Sequence, residues 1–204
     1  GLEKSAEAAS SRDQIETWVN DGRYLQYVSR ATRISENPDF SLLTLVAMSA
    51  REHLNVPAML NVIATCLQKG NNENASELKA LALQSITWCT KLGENRWVHD
   101  AGVHAEDSIV LGQLGSDEVE VVLSNLRLLN KIDFDAEAVL RRLAEAHPDA
   151  ILRFFADRIR HDRDEDVTAS YDAIPFIFYE VDKVLASHPV KLVRLCRELY
   201  DEDS

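Results

Sequence analysis

Apolar residues recur at three- and four-residue intervals along almost the whole chain, interrupted by short turn signals rather than by a long linker. This is the pattern of successive amphipathic helices. Ile15, Trp18 and Val19 predict a first helix that stops at Asn20-Asp21-Gly22, where glycine can take the left-handed C-terminal conformation. A second helix carries Tyr24, Leu25, Tyr27 and Val28. Pro38 opens a helix over Asp39 to Arg51, and Pro57 opens one over Ala58 to Lys69 that Gly70-Asn71-Asn72 closes; together they form a hairpin. Residues 76–91 form another helix, ended by Gly93. The helix expected through Trp97, Val98, Ile109, Val110 and Leu114 contains Gly102 and Gly112. Each costs about 1 kcal/mol relative to Ala, so a break near Gly102 is expected. Ser116 or Asp117 can cap a helix to Leu129, Asp135 one to Ala146, and Pro148 starts the next. The last pair is expected to begin near Ala173 and Pro189.

Within this series one phrase repeats. His147-Pro148-Asp149-Ala150-Ile151-Leu152-Arg153 is echoed by His188-Pro189-Val190-Lys191-Leu192-Val193-Arg194, a shift of 41 residues. A period of that size points to an array of helical hairpins, none of which buries its apolar face alone and all of which share one core when stacked. The expected fold is therefore all-α, a single repeat domain over residues 1–204 built as an α-solenoid. Arg153 and Arg194 are expected to be structural, pairing with Asp157 and Glu198 one turn on or with a carboxylate of the next repeat.

Pro189, Val193, Arg194, Cys196 and Leu199 resemble the second helix of a HEAT repeat, and Pro148, Leu152, Arg153 and Ile159 follow the same pattern more loosely. The resemblance is clearest over residues 117–200 and extends faintly to Pro38 with Leu42 and Pro57 with Leu60, which lack the matching arginine. It implies a stack of HEAT- or ARM-like hairpins that works without a cofactor, as a protein-binding scaffold or regulatory module.

Charge narrows the partner. Residues 1–100 carry 12 acidic and 10 basic side chains, and residues 101–204 carry 22 and 12. A strongly acidic half repels phosphate backbones, so nucleic acid is not expected and a neutral or basic protein is; the sequence leaves a small-molecule ligand open. No apolar run approaches the ~20 residues that cross a bilayer. Cys66, Cys89 and Cys196 lie far apart in largely apolar phrases without metal-ligand spacing. They are expected to be buried thiols in a reducing compartment, the cytoplasm. Because the chain begins with Gly1 rather than Met, it is also expected to be one module of a longer protein.

Two clusters carry candidate chemistry. Asp162, Asp164, Glu165 and Asp166 form an acidic segment and the expected contact for a partner. Their spacing imitates a calcium loop, but Val167 replaces the turn glycine and Ala173 the closing glutamate, so a solvated loop is the better reading. His99-Asp100 invites the alternative of an HD-type, metal-dependent phosphohydrolase, with His53 and a later aspartate completing the ligand set. Asp100 and His104 stand one turn apart, but His99 and His104, five residues apart, diverge on a helix. His147 and His188 precede proline in matching turns and are read as structural. Trp18, Trp88 and Trp97 are expected in or beside the core.

Overall fold

The computed structural model describes residues 2–70, 73–163, 170–175, 177–179 and 181–202. They contain twelve α-helices and no strand. The backbone divides into two compact units, Gly1–Trp97 and Val98–Ser204, which are taken in turn.

The first unit contains α1 (Leu2–Asn20), α2 (Leu25–Ile34), α3 (Phe40–Glu52), α4 (Val56–Lys69) and α5 (Ala75–Lys91). Their boundaries follow local chemistry. At the end of α1, Gly22 has φ +70°, and a Cβ there would meet the His53 ring at 2.5 Å, so only glycine fits. Asp39 caps α3 by accepting from the Leu42 amide at 3.2 Å. That bond is the main reason its carboxyl titrates below the usual range. Asn55 caps α4 in the same way, accepting from the Ala58 amide at 3.1 Å, and Pro57 occupies the first turn. Gly93, with φ +72°, follows α5.

Helix α4 is the centre of this unit, contacting α2, α3 and α5. Its run Val62-Ile63-Ala64-Thr65-Cys66-Leu67 is buried on every side, as a helix with neighbours all round requires. Small residues let those neighbours approach, and their polar atoms find partners. The Ser49 hydroxyl of α3 donates to the Val19 carbonyl at the end of α1, and the Asn61 amide of α4 donates to the Ser29 hydroxyl of α2 at 3.1 Å. Trp97 is fully buried and donates to the Thr90 hydroxyl at 3.1 Å, while Trp18 and Trp88 are half-buried.

The second unit holds most of α6 (Trp97–His104), then α7 (Ile109–Gly112), α8 (Ser116–Leu126), α9 (Phe134–Ala144), α10 (Pro148–Asp162), α11 (Val181–Ala186) and α12 (Pro189–Glu202). Rather than breaking near Gly102 as expected, α6 runs through it, and the break falls at residues 105–108, where Ser108 caps α7 by accepting from the Leu111 amide at 3.2 Å. Substantial contacts join α7 to α9, α8 to α10, α9 to α11 and α10 to α12, besides sequential pairs. The repeated phrase forms the same turn twice. The His147 carbonyl accepts from the amides of Ala150 and Ile151, and the His188 carbonyl from those of Lys191 and Leu192.

Three side-chain contacts among the described residues of this unit share one sequence offset. Glu137 accepts from the Tyr179 amide at 2.7 Å, Lys191 meets Asp149 at 2.8 Å, and Arg160 meets Glu202 at 2.7 Å, each joining residues 42 apart. The first of these is buried: Glu137 is 1% exposed and also accepts from the Val181 amide at 3.0 Å, so a carboxylate from α9 holds the positive N-terminal pole of α11.

Among the described residues the other buried charge is Arg158 of α10, also 1% exposed. Its Nε donates to the Ala173 carbonyl at 3.0 Å; its terminal nitrogens donate to those of Leu129 at 2.7 Å, Asp172 at 2.6 Å, and Arg127 and Asn130 at 3.3 Å each. Five donors thus meet five carbonyls, three of them just after the end of α8. The Tyr171 ring lies 4.5 Å from the guanidinium. Burial lowers the pKa of the group.

Three expectations change. The penultimate helix begins at Val181 rather than near Ala173, whose carbonyl is taken by Arg158. Asp133, not Asp135, caps α9, accepting from the Ala136 amide at 2.9 Å. Cys66 and Cys89 are buried, and burial pushes the Cys89 thiol up to about 12, but Cys196 is exposed.

Replacing Arg158 with Lys keeps a cation but cannot serve five carbonyls. Urea denaturation should show a loss of about 2–3 kcal/mol, and Arg158→Ala about 3 kcal/mol or more. A loss below about 0.5 kcal/mol for both would contradict this role.

Candidate functional site

A concave surface of the second unit lies where α6, α9 and the segment before α11 meet. Its architecture starts with Gly102, where a Cβ would stand 2.6 Å from the Asp135 backbone. The glycine that weakens α6 is what lets α6 and α9 come this close. One turn earlier on α6, His99 reaches across, and its Nδ1 lies 2.7 Å from Asp135 Oδ2. This bond raises the His99 pKa. Because Asp133 provides the helix cap, Asp135 is available for that pairing.

Beyond this crossing, a groove of about 490 Å³ is lined by Val103, Phe134, Ala138 and Tyr179 together with charged side chains. Phe134 and Tyr179 stand edge to face with ring centroids 5.3 Å apart, yet are 60% and 55% exposed. Val103 is also exposed. Arg141 and Glu106 pair at 3.3 Å on the rim, and Glu137 forms part of the wall while bonded to the start of α11. The result is an aromatic and aliphatic surface framed by charges that already have partners. Chemically it suits apolar contact with a framed polar rim rather than proton transfer.

The sequence-derived candidates fall elsewhere. Asp162 is exposed at the last residue of α10, whereas Asp164, Glu165 and Asp166 lie outside the described residues. Of the hydrolase pair, His99 pairs with Asp135, and Asp100 follows it on α6. His53 belongs to the first unit, at the end of α3, 3.5 Å from the Asn20 carbonyl. Among the described residues no three His, Cys, Asp or Glu side chains gather as a metal site. His147 has the structural role expected of it, its Nε2 lying 2.9 Å from the Leu114 carbonyl.

Sequence reasoning missed Val103, Phe134 and Tyr179. Phe134 falls at the first position of α9, off its apolar stripe, and Phe176-Ile177-Phe178-Tyr179 is an apolar run without helical period. Large apolar residues out of phase with the core were the available signal. No helix of the described residues is long and apolar enough to cross a membrane. Family models, curated proteins and solved structures give no match to the chain.

The His99–Asp135 pair sets a pH dependence. A raised folded-state pKa means its contribution is present below the ordinary histidine value of about 6.5 and is lost as pH rises through the folded value. The pair is exposed, so the effect is small and salt-sensitive. The melting-temperature gap between wild type and His99→Ala should be larger near pH 6 than near pH 9. An equal gap at both would contradict the pairing.

Proposed function

We propose that this chain is a HEAT-like α-solenoid that acts without catalysis, as a scaffold or regulatory module, and grips a protein partner through the Phe134–Tyr179 groove. The observation that carries the reading is the aromatic pair itself. Two rings more than half exposed, side by side in a concave surface with satisfied charges around it, have the composition of a recognition hot spot. They gain nothing from their present exposure and would be stabilised by burial against an apolar anchor, at about 25 cal/mol for each Å² removed from water.

The solenoid reading is supported by the packing order. In each unit, helices in substantial contact are neighbours or next neighbours along the chain, and in the second unit three contacts join residues 42 apart, close to the 41-residue period of the repeated phrase. Such stacks expose long faces suited to extended partners. The acidic second half favours a neutral or basic partner overall, with the segment that begins at Asp162 and continues through Asp164, Glu165 and Asp166 as a further contact. The free, buried thiols of Cys66 and Cys89 fit a reducing compartment, the cytoplasm. The phosphohydrolase alternative through His99 and Asp100 draws no support from the geometry, since His99 is engaged by Asp135.

A photocrosslinking residue placed at Val103 should trap a defined protein in cells, and Phe134→Ala with Tyr179→Ala should abolish the adduct while the protein still folds. The same residue placed at exposed Lys183, away from the groove lining, serves as the control. Identical adducts from both positions, or adducts unaffected by the double substitution, would overturn the reading.

A further inference from the structure

The arginines of the repeated phrase remain unexplained by core or groove. Arg153 on α10 and Arg194 on α12 are both exposed, and both line a second groove of about 230 Å³ with Lys191 and Asp149 beside them. The expectation that each pairs with the acid one turn on is not met. Asp157 meets Arg127 at 3.0 Å and Arg160 at 3.3 Å, and neither Arg153 nor Arg194 has a hydrogen bond or ion pair among the described residues. Asp149, the carboxylate that feels Arg153, is held by Lys191 at 2.8 Å, and that bond lowers its pKa. Glu198 also lines the groove without an ion pair to Arg194 among the described residues.

Two guanidiniums unpaired among the described residues are notable where acids outnumber bases, as residues 101–204 have 22 acidic and 12 basic side chains. Internal acids are plentiful, so a role within the fold would be easy to fill. The two arginines hold equivalent positions, 41 residues apart, on helices that pack together. Between them, Leu152 and Leu195 give the groove an apolar floor.

We propose that the α10–α12 groove binds an acidic peptide segment of a partner, with one carboxylate taken bidentately by Arg153 and a second by Arg194. The planar guanidinium matches a carboxylate through two parallel hydrogen bonds, which a lysine cannot do. In a polyproline-II segment, residues three apart share one face at a spacing of about 9 Å. A segment acidic at every third position therefore presents its carboxylates in one row to a groove that offers two guanidiniums. The site rests on the reading of the chain as a protein-binding stack and adds an acidic element to a partner whose overall charge is neutral or basic. Nucleic acid offers anions too, but the acidic surroundings oppose a continuous polyanion.

The test is fluorescence anisotropy of the intact chain with a labelled peptide of four Glu-Pro-Pro units, its Gln-Pro-Pro counterpart and a single-stranded oligonucleotide. The Glu peptide should bind, the Gln peptide should not, and added salt should weaken the complex. Arg153→Gln or Arg194→Gln should each reduce affinity about tenfold, the loss of one charge-assisted pair, without changing the melting temperature, since both side chains are exposed. Binding retained by the double variant, absence of binding by wild type, or equal binding of the oligonucleotide through the same arginines would overturn the proposal. Failure here with intact Val103 adducts removes only this site; loss of both removes the scaffold reading.

Discussion

Arg158 commits all five of its N–H donors to backbone carbonyls, and the second unit is organised around that arrangement. A helix ends with carbonyls that have no partner within it, and a chain that turns where helices pack together cannot leave them to water. The carbonyls of Arg127, Leu129 and Asn130, at and beyond the end of α8, converge with those of Asp172 and Ala173 on one planar group from α10. Arginine is suited to this because it has five donors in a rigid plane and no acceptor to satisfy. Burying the cation costs free energy. The negative pole at the end of α8, the carbonyl dipoles and the Tyr171 face offset that cost.

With those turns fixed, the rest of the unit follows. The segment after α10 is anchored at its Asp172 and Ala173 carbonyls by Arg158 and at its Tyr179 and Val181 amides by Glu137. A buried cation and a buried carboxylate thus hold two points of the chain between α10 and the start of α11. Between them α11 is set against α9, α12 against α10, and Tyr179 against Phe134, so the groove depends on bonds made behind its aromatic surface. The first unit solves its packing differently. There the run Val62 to Leu67 of α4 is buried all round, and small side chains with local hydroxyl bonds let its neighbours close in.

Most helix positions are legible in the sequence because Pro, Gly and Asx residues punctuate the apolar stripes. Pro57, Pro148 and Pro189 lie in the first turns they were expected to open, and Gly22 and Gly93 follow the helices they were expected to close. Asp135 reads as a cap in the sequence, yet Asp133 offers the same chemistry two residues earlier, and only the crossing at Gly102 gives Asp135 its partner. Arg158 is legible in principle: Ile151, Phe154, Phe155 and Arg158 occupy one helical face, so the charge lies in phase with the core. The repeated phrase points instead to Arg153 and Arg194, which are exposed. The groove is hidden for a different reason, since Tyr179 comes from an aperiodic segment whose place is set by Glu137 from another helix.

On this account Asp172, Ala173 and Tyr179, which lie between α10 and α11, are pinned to the unit by buried charges rather than draped over it. Hydrogen exchange of the Tyr179 and Val181 amides measures this directly, because both donate to a buried carboxylate. Exchange as slow as that of core amides in α10, such as those of Phe154 and Phe155, is the predicted result. Exchange at the rate of an exposed loop, with α10 still protected, would contradict it.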